Sequence, residues 1–435
     1  MPTLPFELQT LILLHLRDSS SNFRGYSSIL TVCALVCRAW VSSSRSALFH
    51  RFVLDDNSVG EFLQLYDHPL ETFSLARVTQ FEYQQCEVRN RDYLQDPTSS
   101  CDTLNKVLKW RSSDGKRDLS TMLSVTERME LGYFGWDTLD GKGKRRLAEC
   151  FSSIQHLKLY GTEFESGDAL QSFIKSFSAL GSLHLDDVVL MAGSRAPVGK
   201  QTETWSHDDI PINLHTIVLE QMSRRDGTDV VESLTPCPSL RNFSYHHYFD
   251  VNGLTTSRTT AIGKLLASAA QTLEQLTVTV WRQGEESQIE NAFRAIDISL
   301  NPNLRRINLS VQSSAYLIPF LERFTLAITK ANGHGSYTPE PEEPCLHSLH
   351  IEHLPKLDIN WERLDNTLQH PIFSALREIN CEMKFRDRCR DSYGDTKSLL
   401  TISEEVYKGV KDFRARLPQC DSRGILKVVV KYDQL

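Results

Sequence analysis

Hydrophobic residues along this chain recur in a six-residue form, L-x-x-L-x-L, whose last two apolar positions are two apart. Two residues apart is one side of a β-strand. Clean copies stand at Ile154/Leu157/Leu159, Leu180/Leu183/Leu185, Leu214/Ile217/Leu219, Leu240/Phe243/Tyr245, Leu273/Leu276/Val278, Leu304/Ile307/Leu309, Leu346/Leu349/Ile351 and Leu376/Ile379/Cys381. Weaker copies are Leu70/Phe73/Leu75, Thr126/Met129/Leu131 and Ile425/Val428/Val430. Several copies are introduced by turn residues: Pro238-Ser239, Pro302-Asn303, Pro344-Cys345 and Ser374-Ala375. The intervals carry helical periodicity at Leu170–Ala179, Ile262–Ala270, Ile289–Leu300, Tyr316–Ala331 and Leu399–Leu417. The unit is strand, loop, helix. Parallel strands need crossovers of a dozen or more residues, so repetition of the unit predicts a stack with strands inside and helices outside.

That pattern resembles a leucine-rich repeat, with departures. The spacing runs from about 26 to nearly 50 residues against a usual 20 to 29, and the Asn or Cys three positions after the last leucine is missing. Thr162, Val188, Met222, Tyr248, Trp281, Gln312, Leu354 and Lys384 stand there instead. With no asparagine ladder, the turns are expected to be held by the helices and by irregular loops. An ordinary α/β domain with a parallel sheet is the alternative. Two insertions, 191–211 and 332–344, are rich in Gly, Pro, Ser and charge and read as loops.

The opening of the chain follows another pattern. Pro5 sits where a first helical turn tolerates it, Glu7 favours the positive end of the helix, and Leu8, Leu11, Ile12 and Leu16 form one apolar face. Leu13 and Leu14 extend that surface. The second candidate helix, about 29–41, repeats the excess with Leu30, Val32, Cys33, Leu35, Val36, Cys37, Trp40 and Val41. So short a segment buries only a modest fraction of its own surface. The surplus calls for a second body, each buried side chain being worth about 1.5–3 kcal/mol.

Leu4-Pro5-x-Glu7-Leu8, Ile12 and Leu16, the block Cys33-Ala34-Leu35-Val36-Cys37-Arg38-Ala39-Trp40 and the closing Leu48-Phe49 resemble the F-box, in the form found in large fungal families. The stretch 17–28 is longer than the usual link between the first two F-box helices. The resemblance implies an α/β protein with a small N-terminal helical F-box-like module, 1–54, and an irregular leucine-rich-repeat solenoid, 55–435, whose first repeats, 55–150, are the least regular. It further implies docking on a Skp1-type adaptor and, through it, a cullin ubiquitin ligase. Leu4, Pro5, Leu8, Ile12, Leu16, Val36, Cys37 and Trp40 are the docking residues carried over from the F-box pattern. Trp40 fits equally well as the core of the little bundle.

Composition narrows the function further. The chain of 435 residues is 40% hydrophobic and 24% charged, with a net charge of -7. No global basic footprint points to nucleic acid. Lys142-Gly143-Lys144-Arg145-Arg146 reads as the solvated start of a helix. Ten cysteines are scattered without C-x-x-C pairs, so they are expected to be reduced. No signal peptide or membrane span is read near the N-terminus, and a cytoplasmic or nuclear protein is expected.

Candidate chemistry is sparse. His347, His350 and His353 are three apart, and on a strand the middle ring points away from its neighbours. Adjacent His246 and His247 diverge for the same reason, and no metal is expected. No P-loop, nucleophile elbow or acid–base constellation can be assembled, so no enzyme activity and no cofactor are expected. What remains is a strip on the concave side of the strands: His156, Lys158, Tyr160, His184, Asp186, Asn242, His246, Arg306, Asn308, His350, Glu352, Glu378 and Asn380. Polar and varied between repeats, it suits a target protein as well as it suits plain solvation. The expected function is a substrate receptor for an SCF-type ligase. The alternative is a repeat scaffold whose opening helices only cap the stack.

Overall fold

Each of the eight clean copies of the motif forms a strand, and strands also form where the sequence shows the motif poorly. The computed structural model describes residues 47–68, 78–84, 102–191, 213–221, 227–247, 256–280, 300–311, 317–325, 346–352, 359–386 and 399–433, with single positions at 12, 40, 41, 44, 296 and 298. The chain divides into two units, 1–213 and 214–435.

The first unit holds β1 (Arg51–Asp55), β2 (Gln80–Gln84), β3 (Arg128–Gly132), β4 (His156–Tyr160), β5 (Glu163–Phe164), β6 (Ser182–Asp186) and β7 (Val189–Leu190). β1, β2, β3, β4 and β6 pair in that order, all parallel. β5 and β7 form a separate parallel pair. Between them run α1 (Val59–Asp67), α2 (Asp102–Lys109), α3 (Ser120–Leu123), α4 (Gly141–Cys150) and α5 (Gly167–Lys175).

The second unit holds β8 (Thr216–Glu220), β9 (Asn242–His247), β10 (Gln275–Val280), β11 (Arg306–Val311), β12 (Ser348–Glu352), β13 (Glu378–Arg386) and β14 (Leu426–Asp433), again paired parallel in chain order. Its helices are α6 (Thr228–Ser233), α7 (Thr256–Ser268), a helical stretch across 317–325, α8 (Trp361–Thr367), α9 (Leu399–Arg414) and α10 (Pro418–Ser422). Both units are mixed α/β and solenoid-like. Among the described residues, no helix is long and apolar enough to cross a membrane.

Period-two burial explains the strands. In β9, Phe243 and Tyr245 are buried while Asn242, Ser244 and His246 are half-buried, and β4 and β8 alternate in the same way. Register stacks like on like: Ile217, Phe243, Leu276, Ile307, Leu349 and Ile379 form one continuous apolar row. Buried residues on the helices complete the core. Examples are Ala261, Ile262, Leu265 and Leu266 on α7, and Phe173 on α5, whose ring meets Trp136 at 4.8 Å and Phe177 at 5.2 Å. Local caps start the helices where the sequence allows. Asp140 accepts from the Gly143 N–H at 2.7 Å ahead of α4, so the basic run 142–146 does open a helix.

The strand entries are held by a backbone ladder. The carbonyl of Arg241 accepts from the N–H groups of both Glu274 and Gln275, that of Glu274 from Arg305 and Arg306, and that of Arg305 from His347 and Ser348. The first unit repeats the device through His50, Thr79, Glu127 and Gln155. A side-chain ladder runs beside it, and here the structure corrects the expectation that helices and irregular loops alone hold the turns. The residue just before the first apolar position of the motif reaches back one repeat: Ser153 to the Ser124 carbonyl (2.6 Å), Ser239 to Leu214 (2.8 Å), Thr272 to Pro238 (2.7 Å) and Asn303 to Gln271 (2.8 Å). The polar ladder lies at the entry of the strand rather than after it.

Four strand exits share a second device. Tyr133 (φ 56), Gly161 (φ 58), Asp187 (φ 53) and Gln221 (φ 48), each directly after a strand, all take the left-handed conformation. Only Gly161 does so without steric cost, and a Cβ there would meet the Tyr133 ring at 2.6 Å.

The sequence misses the two earliest described strands, β1 and β2, while the weak copy Thr126/Met129/Leu131 does form β3. The copy expected at 70–75 lies outside the described residues; β1 and β2 form around Phe52 and Leu54 and around Val78, Phe81 and Tyr83, where aromatic side chains take places held by leucine elsewhere. β1 crosses the boundary expected at residue 54. The insertion at 332–344, all of 191–211 except Met191, and most of the helix expected at 289–300 lie outside the described residues.

Neighbouring positions of one strand should respond very differently to truncation. Phe243→Ala is expected to destabilise the second unit by about 3–5 kcal/mol, and Ser244→Ala by no more than about 0.5 kcal/mol. Urea unfolding of the two variants measures both.

Candidate functional site on the open face of the strands

Residues pointing away from the helices form rows across each sheet, because the registers carry no slip. In the first unit one row reads Arg51, Gln80, Arg128, His156, Ser182, and the next Val53, Glu82, Glu130, Lys158, His184. These rows line a groove of about 420 Å³. Glu82 takes the Arg51 Nε–H at 3.1 Å, and Lys158 Nζ lies 3.6 Å from Glu130. Arg128 has no ion-pair partner among the described residues and lies exposed beside His156. Tyr160 stacks edge-on against Tyr133 with centroids 4.6 Å apart. The groove therefore offers the Arg128 guanidinium together with two imidazoles and paired charges, a set suited to hydrogen bonding and ion pairing with a protein surface.

The second unit presents different chemistry. Its middle row runs Ser244, Thr277, Asn308, His350, Asn380, Lys427. Asn308 donates to the Thr277 hydroxyl at 3.0 Å, and Asn242 to that of Thr216 at 3.1 Å. The row toward the strand ends runs Glu220, His246, Thr279, Ser310, Glu352, Glu382. Burial pushes the His246 imidazole down, and the carboxylates of Glu220 and Glu352 pull part of the way back. Glu378 sits at the opposite margin. Hydrogen bonds from Lys427 (2.7 Å) and from the Ser348 hydroxyl (2.9 Å) hold its carboxyl below the usual range.

The thirteen strip residues read from the sequence all lie on strands at open-face register positions. His156 and Arg306 are exposed, and Lys158, Tyr160, His184, Asn242, His246, Asn308, His350, Glu352, Glu378 and Asn380 are half-buried. Asp186 is the exception. At 6% exposure it is the one member of the strip that is buried. Of the expected docking residues, Ile12 is helical and 42% exposed, and Trp40 is helical and half-buried. Leu4, Pro5, Leu8, Leu16, Val36 and Cys37 lie outside the described residues.

Two features escaped the sequence. Arg51, Glu82, Arg128 and Glu130 join the open face because β1, β2 and β3 exist where the motif is poor. His350 finds its neighbours on its own strand and the next one: its Nε2 is 3.4 Å from Glu352 and 4.0 Å from Glu382, and the donor atoms of the three lie within 4.8 Å of one another. Spacing along a single segment, as with His347 and His353, does not reveal a cluster built across strands. Among the described residues this is the grouping in the second unit with donors suited to a metal ion.

The described cysteines offer no nucleophile. Cys150, Cys237, Cys381 and Cys420 are free and buried, and burial raises every one of these thiols, Cys237 to about 11 and Cys420 to about 12. Thiolate chemistry needs the opposite shift.

Lys427→Ala removes the leading cause of the depressed Glu378 carboxyl. A depressed folded-state carboxyl adds stability above its ordinary value of 4.5 and loses it as the pH falls through the folded value. With Glu378 34% exposed, solvent screens the pair. The wild type should exceed Lys427→Ala by at most about 1 kcal/mol near neutral pH, and the gap should close in acid. Urea titrations at neutral and acid pH test this, and a gap that widens in acid would contradict it.

No protein-family model matches the chain, and no curated protein matches it.

Proposed function

We propose that this protein is a target-recognition subunit of an SCF-type ubiquitin ligase, with the N-terminal segment docking on a Skp1-type adaptor and the strand rows of a leucine-rich-repeat array holding a target protein. The observation that carries the recognition half is the open face itself. Its rows are in strict register yet chemically unlike from strand to strand, with a groove of about 420 Å³ in the first unit. Such a surface specifies by arrangement rather than by a single anchor. The docking half rests on the residues resembling the F-box, from Leu4 and Pro5 to Trp40. A receptor of this kind performs no chemistry. It raises the effective concentration of target lysines beside a ubiquitin-loaded enzyme bound elsewhere in the complex.

One observation favours the scaffold reading, in which the opening helices merely cap the stack. His50, two residues past Leu48, already feeds the backbone ladder, its carbonyl accepting from Thr79 and Gln80, and its Nδ1 lies 2.7 Å from the Thr79 hydroxyl. The two readings separate in one experiment. Full-length protein is co-purified with a Skp1-type adaptor beside a Pro5→Ala/Leu8→Ala double variant whose folding is checked by thermal melting. Stoichiometric binding by the wild type, lost in the folded variant, is expected. A folded wild type that leaves the adaptor unbound would overturn the ligase reading in favour of the scaffold.

A further inference from the structure

The rows of the second unit bring one imidazole and two carboxylates to a single point, and the way they are buried goes beyond what a protein-binding strip requires. His350 and Glu352 are two apart on β12 and so share a face; Glu382 stands directly opposite Glu352 on β13. The side chain of Glu382 is 1% exposed, those of His350 and Glu352 25% and 30%. Glu382 thus brings a carboxylate almost out of solvent into a group whose donor atoms all lie within 4.8 Å of one another. Ser310 lies opposite Glu352 on the other side, on β11. It is 4% exposed, and its hydroxyl has no hydrogen-bond partner among the described residues. A buried, unpartnered hydroxyl at the register position next to Glu352 marks a place where a polar guest is wanted.

We propose that His350, Glu352 and Glu382 form a binding site for a divalent transition-metal ion of the zinc class, with the Ser310 hydroxyl placed to hydrogen-bond a water on the ion. The donor set decides the class. Carboxylates alone would suit magnesium or calcium, whereas an imidazole nitrogen shifts the preference toward zinc and its neighbours. Tetrahedral ligands at the usual zinc distances stand about 3.4 Å apart. His350 Nε2 is already 3.4 Å from Glu352 and 4.0 Å from Glu382, so sub-ångström side-chain shifts close the site. Three protein ligands leave a fourth position for water or for a side chain of a bound protein. The site is independent of the F-box reading and stands or falls separately from it.

The test is Zn2+ titration of the full-length chain after chelator treatment and desalting, by calorimetry with metal quantification. One equivalent per chain is expected. His350→Gln and Glu352→Gln, both at partly exposed positions, should each weaken that binding by about 100-fold or more, since even outer-shell partners cost 10- to 100-fold. His347→Gln, just before the strand, should leave it unchanged. Binding that survives His350→Gln, binding below one equivalent, or equal affinity for Ca2+ would overturn the proposal. Should either variant fail to fold, Co2+ added to the wild type decides: the intense visible absorption of a four- or five-coordinate ion supports the site, and the weak absorption of a six-coordinate aquo-like ion overturns it.

Discussion

A carbonyl that accepts two successive N–H groups at the entry of most described strands is the constraint on which the other features rest. Because Arg241, Glu274 and Arg305 each fix the start of the following strand, β9 to β12 all begin at the same level. Level starts put apolar residues over apolar residues, and that alignment lets helices of unequal length cover one common surface. A slip of one residue would turn the entire apolar set outward. The polar reach-back of Ser239, Thr272 and Asn303 pins the same level from the side chains.

Legibility followed burial. Strands whose inward positions are Leu and Ile, such as β6 and β8, stand out in the sequence because aliphatic residues at period two point to a half-buried strand and to little else. β1 and β2 do not, because Phe52, Phe81 and Tyr83 fill the same space with aromatic bulk and neighbouring polar residues blur the alternation. The turn chemistry was hidden for another reason. Ser, Thr and Asn before a strand are ordinary loop residues until the strand itself is placed. Of the left-handed exits, Gly161 and Asp187 are residue types enriched in that conformation, whereas Tyr133 and Gln221 carry no such mark.

The open-face residues were readable as a set, since parity along a strand follows from the apolar positions. Their pairing was not, because it depends on which strand lies beside which. Glu352 and Glu382 are 30 positions apart in the chain yet stand side by side, and Arg128 reaches His156 in the same manner. Chemistry distributed over neighbouring strands is invisible to a search along one segment. In this architecture it is the expected form of a site, since each repeat contributes only two or three outward side chains.

The entry ladder also divides the chain into places that accept added length and places that do not. Between the end of one strand and the next paired entry, extra residues leave both ends where they were, which is how connections as unlike as 160–182 and 311–348 coexist in this chain. One residue added inside a strand would move every later side chain of that strand to the wrong face. The exit-to-entry intervals, and not the strands, are thus where a reporter domain or an epitope could be spliced in without erasing the pattern of rows.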